Sequence, residues 1–152
     1  MKAIIQRVKY ARVTVDEEIT GEIGTGFLIL LGAGQNDSAA DCNKLTDKIS
    51  KLRIFSDEND KINLSINDVN GDILVVSQFT LYADCRKGNR PSFVNACPPN
   101  EAEKLYQYFM KCLDNKINGT VSHGIFGADM KVELLNDGPF TISLECNNGE
   151  IQ

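Results

Sequence analysis

The chain has 152 residues, a hydrophobic fraction of 42% and a formal net charge of −5. This length and composition fit one domain with its own core, and the acidic balance excludes the broad basic face of proteins that coat duplex nucleic acid. The longest apolar stretch, residues 26–33, is too short to span a bilayer. Because the first residues also lack the long apolar region of a signal peptide, we expect a cytoplasmic protein with no membrane contact.

The cysteine and histidine content limits the available chemistry. The chain has one histidine, His123, and five cysteines without a CxxC pair or metal-ligand spacing. An odd count with long gaps disfavours a disulfide framework, and a catalytic thiol would need a nearby base. We therefore expect neither a metal nor a cofactor. The cysteines are Cys42, Cys85, Cys97, Cys112 and Cys146.

Three strands and one helix are predicted in the first half of the chain. Residues 2–8 and 12–16 have the patterns of half-buried strands, and the apolar run 27–31 predicts a third strand. Ser38 and Asp41 have the spacing of a capping box, which predicts that a helix begins there. The buried side of this helix then carries Cys42, Leu45, Ile49 and Leu52.

Three more strands and a second helix are predicted in the second half. The continuous apolar run 73–79 is typical of a central strand that is buried on both faces. A pair of prolines precedes the second helix, for which the sequence predicts Asn100 as the N-cap and Glu103 as its capping-box partner. The last two strands are predicted at 130–135 and 140–145.

These elements predict a single α+β domain with a mostly antiparallel or mixed, barrel-like sheet and two main helices. The domain is predicted to cover residues 1–146, and the polar residues 147–152 are predicted to form a frayed tail. Regular β-α-β alternation is absent, and Gly32-Ala33-Gly34 does not complete a phosphate-binding loop. The sequence therefore disfavours a nucleotide-binding parallel sheet.

Two segments, each where a hydrophobic strand meets a break, are candidates for a functional site. In the first, Ser77 or Thr80 would line a site and main-chain amides near Phe79 would hold an anion, although an ordinary strand end has the same composition. This segment contains no base that would activate a threonine nucleophile. The second segment centres on Gly138-Pro139, where the backbone can approach a ligand closely. On the sequence alone, a plain turn between two strands is the favoured interpretation of Gly138-Pro139.

Charged residues supply further candidates. Arg7 lies on the first predicted strand among apolar neighbours, and a buried guanidinium requires acceptors, so Arg7 is a candidate for holding the carbonyls of a loop. Arg86, Lys87 and Arg90 cluster in one predicted loop, where a solvated turn and a ligand-facing patch are equally consistent with the pattern. His123 is predicted to be a partly exposed turn residue rather than a base.

Taken together, these segments resemble the D-aminoacyl-tRNA deacylase family. The likeness extends from Met1 to about Glu145 and rests on five motifs in the family's order. Cys85 and His123 lie outside the pattern. The motifs are the opening strand with Arg7, Ser77-Gln78-Phe79-Thr80-Leu81-Tyr82, Lys87-Gly88-Asn89-Arg90-Pro91-Ser92-Phe93, the run 124–130 and Asn136-Asp137-Gly138-Pro139.

The resemblance implies a homodimer with its active sites at the subunit interface. It also implies that Gly138-Pro139 is a cis peptide that reaches into the partner's pocket, held in orientation by Arg7. The two carbonyl oxygens would face the α-carbon of the substrate, so an L side chain would collide with this wall whereas a D side chain or glycine would fit.

The implied reaction is hydrolysis of the ester between a D-amino acid and the 3′ end of a tRNA. Main-chain amides around Phe79 would stabilise the oxyanion, and the 2′-hydroxyl of the terminal ribose would assist the attacking water. An acidic protein can bind this single-stranded end because no long duplex footprint is needed. The implied catalytic residues are Ser77, Gln78, Phe79 and Thr80. The implied substrate-binding residues are Gly138, Pro139, Arg7, Phe93, Phe126 and Met130.

Two other functions stay open on the sequence alone. One is a nucleic-acid-binding accessory protein without catalysis, a role that the resemblance also permits for some relatives. The other is an ordinary hydrolase of small esters in which Thr80 is the nucleophile.

Overall fold

The computed structural model describes all 152 residues. It consists of a curled mixed sheet with two helices packed against it. No helix in it combines the length and the apolar character needed to cross a membrane. The helices are α1 (Ala39–Ser50) and α2 (Pro99–Asp114), and one 3₁₀ turn spans Phe79–Tyr82. The strands are β1 (Lys2–Val15), β2 (Glu18–Ile23), β3 (Gly26–Gly32), β4 (Arg53–Ser56), β5 (Ile62–Ser65), β6 (Asp72–Ser77), β7 (Val121–His123), β8 (Lys131–Asn147) and β9 (Glu150–Ile151).

The main sheet has the strand order β7-β6-β3-β1-β8-β9, with β2 also paired to β1, while β4 and β5 form a separate two-stranded sheet. The pairs β3–β6 and β6–β7 are parallel, and the remaining pairs are antiparallel. This mixed sheet with two helices confirms the predicted single-domain α+β class.

One long strand organises the sheet. The two strands predicted at 2–8 and 12–16 are a single strand, β1, of 14 residues. One edge of β1 pairs first with β3 and then with β2, and its other edge pairs with β8 along most of its length. Register shifts interrupt the β1–β8 ladder on either side of Val8. Such irregularities bend strands and increase their twist, which accounts for the curl of the sheet.

Both faces of the central strands are buried. The larger core lies between the sheet and the helices, where Phe27 stacks on Phe55 with ring centroids 5.2 Å apart. A smaller core lies on the opposite face and includes Leu28, Leu74 and Val76. Strands buried on both faces are apolar at nearly every position, which explains why β3 and β6 were recognisable from sequence.

Helix α1 begins as its sequence predicts. The carboxylate of Asp41 accepts hydrogen bonds from the backbone N–H of Ser38 at 2.8 Å and from its hydroxyl at 3.0 Å. It also accepts one from the backbone N–H of Gly149 at 2.9 Å. Burial opposes ionisation of Asp41, but the hydrogen bonds from Gly149 and Ser38 outweigh it and hold its pKa below the ordinary value.

Helix α2 begins differently from the prediction. Its N-cap is Pro98 and its first residue is Pro99, so Asn100 lies inside the first turn, and the predicted cap and its capping box with Glu103 are wrong. Proline is favoured at the first helical position because the N–H that it lacks would have no intrahelical acceptor there.

Three further boundaries differ from the sequence prediction. The strand predicted at 73–79 ends at Ser77, and Phe79 starts the 3₁₀ turn. The two strands predicted at 130–135 and 140–145 are one strand, β8, and residues 137–140 form a bulge within it instead of a turn. The tail is not frayed, because β9 pairs with the end of β8.

Candidate active site

A cavity of about 710 Å³ lies at the carboxyl ends of the parallel strands β6 and β7. Segment 76–79 continues from β6, segment 126–130 follows β7, and the start of α2 with segment 93–97 closes the remaining sides. The carboxyl ends of parallel strands are a common place for ligand sites in open sheets, because the connections diverge there and leave a crevice. The topology therefore brings together motifs that lie about 50 residues apart in the chain.

Most of the residues predicted for the site line this cavity, namely Ser77, Gln78, Phe79, Phe93, Phe126 and Met130. Thr80 is exposed, and its hydroxyl accepts a hydrogen bond from the side-chain amide of Gln78. Further wall residues were not among the site residues predicted from the sequence, because a residue joins a cavity wall only through the path of the folded chain. Among them are Val94, Ala96, Cys97, Ala128 and Val132.

The backbone after β6 presents two N–H groups near the cavity. Gln78 is anchored to the sheet by its N–H, which donates to the carbonyl of Leu31 at 2.8 Å. The first hydrogen bond of the 3₁₀ turn runs from Leu81 N–H to the Gln78 carbonyl at 3.2 Å. The N–H groups of Phe79 and Thr80 precede this bond, so they have no acceptor within the turn.

Aromatic side chains form much of the apolar wall. Phe79 is 57% exposed, and its ring meets that of Phe93 edge-on with centroids 5.0 Å apart. Phe126 packs against Tyr106 with centroids 5.8 Å apart. Exposed aromatic surface in a concave site is available for contact with a flat or apolar ligand group.

Helix α2 is joined to the end of β6 by a buried hydrogen bond. The hydroxyl of Tyr106 donates to the main-chain oxygen of Val75 at 2.8 Å, and Gly124 N–H donates to the same oxygen at 3.2 Å. Burial raises the pKa of Tyr106, which therefore stays neutral. A Cβ at Gly124 would collide with the sulfur of Met130, so a larger residue there would require the flexible Met130 side chain to move on the wall.

The ionisable groups of the cavity wall are few. Burial raises the pKa of Cys97, which favours its neutral thiol. The carboxylate of Asp129 is paired with Lys131, whose Nζ lies 2.9 Å away. His123 is exposed and does not line the cavity; its Nδ1 lies 2.7 Å from the carbonyl oxygen of Gly124. No three His, Cys, Asp or Glu side chains come together in the arrangement of metal ligands.

A second group of predicted site residues lies outside the cavity, around the bulge at 137–140. Arg7 is 9% exposed, and its Nε donates to the main-chain oxygen of Asp137 at 2.9 Å. Its Nη1 donates to the carbonyl of Ile54 at 2.5 Å, and the Phe140 ring centroid lies 4.8 Å from the guanidinium carbon. One buried cation thus holds the backbone immediately before Gly138.

The Gly138-Pro139 peptide bond is cis, and both residues are exposed at the surface of the chain. Gly138 has φ +146°, a conformation that favours glycine. A Cβ there would also lie 2.8 Å from the backbone nitrogen of Phe140 and 3.3 Å from Nη2 of Arg7. Within one chain, therefore, Gly138 and Pro139 do not line the cavity that holds Ser77 and Gln78.

The fold and the cavity define an α+β protein whose site is built from main-chain amides, hydroxyl and amide side chains, and aromatic rings. The sequence model of the D-Tyr-tRNA(Tyr) deacylase family matches residues 4–145. A D-aminoacyl-tRNA deacylase of Clostridioides difficile is 54% identical over 147 residues, which are 97% of this chain and 98% of that protein. One of Flavobacterium johnsoniae is 51% identical over 150 residues, which are 99% of this chain and all of that protein.

The solved structure of a c-Myc DNA Unwinding Element Binding Protein is also similar, with a TM-score of 0.91 and 42% sequence identity. The alignment covers 97% of this chain and 99% of that one. The match to the family sequence model and the near-complete similarity to these relatives agree. The chain belongs to the D-Tyr-tRNA(Tyr) deacylase family.

Proposed function

We propose that this protein hydrolyses the ester bond of D-aminoacyl-tRNA and releases the free D-amino acid and the tRNA. The observation that carries the proposal is the cavity at the end of β6, which contains the family motif Ser77-Gln78-Phe79 in a chain of this family. The relatives at 51% and 54% identity are named for this activity. Because tRNA is charged in the cytoplasm, that is the proposed location.

In the proposed reaction, the N–H groups of Phe79 and Thr80 stabilise the oxyanion that forms when water attacks the ester carbon. Fixed amides suit this task because they need no reorganisation as the negative charge develops. Gln78 and Thr80, which are hydrogen-bonded to each other, orient the ester. The wall supplies no histidine base, so the 2′-hydroxyl of the terminal ribose assists the water. Phe93, Phe126 and Met130 pack near the terminal adenosine.

Chiral selection is proposed to come from the bulge of a second copy of the chain. Gly138 and Pro139 are exposed and lie apart from the cavity of their own chain, so they are free to reach into a partner's cavity in a homodimer. There, their carbonyls would block an L side chain and admit a D side chain or glycine, and mischarged glycyl-tRNA would then also be hydrolysed.

The deciding experiment compares hydrolysis of the same tRNA charged with D-alanine, L-alanine or glycine. We expect rapid release of D-alanine and glycine and a rate for L-alanine at the spontaneous level. Equal rates for D- and L-alanine would contradict the chiral wall. A tRNA with a 2′-deoxy terminal ribose, charged at its 3′-hydroxyl, tests the assisting hydroxyl, and an unchanged rate on it would contradict that role.

Subunit mixing tests the shared site. Gln78→Ala impairs the cavity and Arg7→Ala impairs the bulge, so each homodimer is expected to be weakly active. After random exchange of subunits, half of the dimers would contain one subunit of each variant. In such a dimer, one site combines an unchanged cavity with an unchanged bulge, and the other site carries both substitutions. The mixture should therefore recover about one quarter of wild-type activity. Additive activity without recovery would show that each site lies within one chain.

A threonine nucleophile is the alternative chemistry within the same cavity. We expect Thr80→Ala to keep its activity within about tenfold of wild type, because Thr80 is proposed only to orient the ester. Loss of a true nucleophile typically costs about 10⁴-fold or more. A loss of that size, together with an acyl-enzyme trapped in wild type, would establish Thr80 as the nucleophile.

Nucleic-acid binding without catalysis is a second candidate, favoured by the name of the DNA-binding relative at 42% identity. This candidate predicts that the affinity for duplex DNA falls steeply as the salt concentration rises. For each phosphate contact, the logarithm of the binding constant should fall by about 0.9 for every tenfold increase in salt. With the formal net charge of −5, we expect weak duplex binding. Tight binding by a chain that does not hydrolyse D-aminoacyl-tRNA would favour this candidate.

A further inference from the structure

The loop at 85–91 immediately precedes a segment of the cavity wall in the chain and is closed at its base. Asp84 and Ser92 close it with two backbone hydrogen bonds, of 2.8 and 3.0 Å. The next residue, Phe93, belongs to the cavity wall and packs on Phe79. The base of the loop therefore has a defined position relative to the site.

The wall that follows the loop is also anchored. Cys97 N–H donates to the carbonyl of Ala33 at 2.9 Å, and Gln35 N–H donates to that of Asn95 at 3.2 Å. These hydrogen bonds hold segment 93–97 against the chain that leaves β3. The point where the loop joins the cavity wall is consequently fixed.

Lys87 and Arg90 are the uncompensated charges of this loop. Both are exposed and neither takes part in an ion pair, whereas Arg86 is bound to Asp84 through Nε at 2.9 Å and Nη2 at 2.6 Å. The hydrogen bonds from the Arg86 side chain and backbone hold the pKa of Asp84 at about 2. Arg86 thus shapes the loop, while Lys87 and Arg90 are available to a ligand.

Nearby carboxylates do not neutralise these two cations. Asp129 on the cavity wall is paired with Lys131, and Glu101 in the first turn of α2 is paired with Lys104 at 2.8 Å. The chain as a whole has a formal net charge of −5. A polyanion that reaches the mouth of the cavity would therefore meet unpaired positive charge at Lys87 and Arg90.

We propose that Lys87 and Arg90 bind phosphodiester groups of the single RNA strand whose 3′ end enters the cavity; this inference rests on the proposed function. Arg90 lies three residues before Phe93, so the two Cα atoms are at most about 11 Å apart. That distance is within reach of the phosphates that immediately precede a terminal nucleoside bound beside Phe93. The loop would select RNA-linked esters over free ones, independently of the amino acid.

The test compares the double variant Lys87→Ala/Arg90→Ala with the matched control Lys44→Ala/Lys48→Ala. The control pair is exposed on α1 and lines a different groove, so it removes the same charge elsewhere. Binding is measured between 50 and 300 mM KCl with a probe tRNA that carries D-alanine through a stable 3′-amide. Hydrolysis is measured separately on 3′-O-D-alanyl-adenosine, which has no phosphate.

For the loop variant, we expect the slope of log Kd against log salt to fall by about 1.4, which is 0.7 for each lost single-strand contact. At low salt, its Kd for the probe tRNA should rise roughly tenfold or more, with hydrolysis of alanyl-adenosine within twofold of wild type. The control variant should show neither change in tRNA binding. Urea midpoints and circular dichroism establish that both variants are folded.

Three results would overturn the proposal: an unchanged slope in the loop variant, an equal change in the control variant, or an equal loss on alanyl-adenosine. The last would mean that the loop acts through the cavity wall instead of through phosphates. Binding does not depend on turnover. A wild type that shows the loop-dependent slope without hydrolysing any D-alanyl ester would therefore support the phosphate contact and overturn the proposed function alone.

Discussion

The guanidinium of Arg7 donates through Nε to the main-chain oxygen of Asp137 at 2.9 Å, one residue before Gly138. The same side chain donates to Ile54 of β4 and lies over the ring of Phe140. A single buried cation therefore connects β1, β4 and the bulge of β8. These contacts hold the bulge against β1 and β4, although Gly138 and Pro139 themselves are exposed.

Replacing Arg7 should affect both stability and activity. Arg7→Ala leaves two carbonyls without their donor, and we expect a loss of about 2–4 kcal/mol in the free energy of unfolding, measured with urea. Hydrolysis of D-alanyl-tRNA should fall with it, because the bulge is no longer held. Arg7→Lys should recover only part of the stability and of the activity. An ammonium group cannot donate to two carbonyls and stack on an aromatic ring at the same time, as a planar guanidinium does.

Arg12→Ala is the matched control on the same strand. Arg12 is paired with Glu133 at 2.9 Å on the exposed side of the sheet, where ion pairs contribute little. Its urea midpoint and its activity should match wild type. A similar loss in both variants would mean that charge on β1, rather than the contacts of Arg7, controls the bulge.

Asp37 is the counter-charge of a buried amino group. The ammonium of Met1 is fully buried and lies 2.5 Å from Oδ1 of Asp37, while Gly34 N–H and the Tyr82 hydroxyl donate to Oδ2. Asp37→Asn should cost about 3 kcal/mol in the free energy of unfolding, because a buried charge loses its partner. Asp47→Asn, in an exposed pair, should leave the urea midpoint unchanged; equal midpoints for the two variants would contradict this.

The hydroxyl of Tyr106 should contribute a smaller amount. Tyr106→Phe removes the buried hydrogen bond to Val75, and we expect a loss of about 1 kcal/mol, because Gly124 still donates to that oxygen. Tyr108→Phe is the control, since its hydroxyl bonds to Asn43 at the surface and should have no measurable effect. Thermal or urea unfolding compares the stability of the two variants. An equal loss would show that the buried hydrogen bond of Tyr106 contributes no more than the surface hydrogen bond of Tyr108.

Alkaline pH should destabilise the fold through its buried thiols. Burial raises the pKa of Cys42 to about 12, and burial with the hydrogen bond to Asp41 raises that of Cys146 to about 11. An unfolded thiol titrates near pH 8.5. Above about pH 8.5, the folded state therefore keeps thiol protons that the unfolded state loses. The contribution of the two thiols to the free energy of unfolding is complete below about pH 8.5 and falls as the pH rises towards their pKa values in the folded protein.

Above the unfolded pKa of about 8.5, the slope approaches about 1.4 kcal/mol per pH unit for each thiol, whereas below it the profile is nearly flat. Urea unfolding under reducing conditions between pH 7 and 9.5 measures it, because tyrosines titrate little in that range. Cys146→Ala should make the decline shallower, whereas Cys85→Ala, at an exposed position, should leave it unchanged. A flat profile in wild type would show that these thiols do not control the alkaline limit.

The candidate site was predictable to different extents for different reasons. Ser77, Gln78 and Phe79 were identified because they form a recognisable motif, and Phe93, Phe126 and Met130 because they belong to others. Cys97 and Val94 were not identified, because a loop residue becomes part of the cavity wall only through the path of the folded chain. The bulge at 137–140 was mistaken for a turn because Asn-Asp-Gly-Pro has turn composition, while its pairing with β1 involves residues far away in sequence.

Sequence reasoning was sufficient for the local structure: the apolar strands, the capped start of α1, the α+β class and the order of the family motifs. These properties depend on residues a few positions apart, so periodicity and capping reveal them. The folded chain was needed to show that Ser77 and Phe126 share one cavity while Gly138 lies apart beside Arg7. That division depends on the parallel pairing of β6 with β7 and on the bulged pairing of β1 with β8, which bring distant segments together.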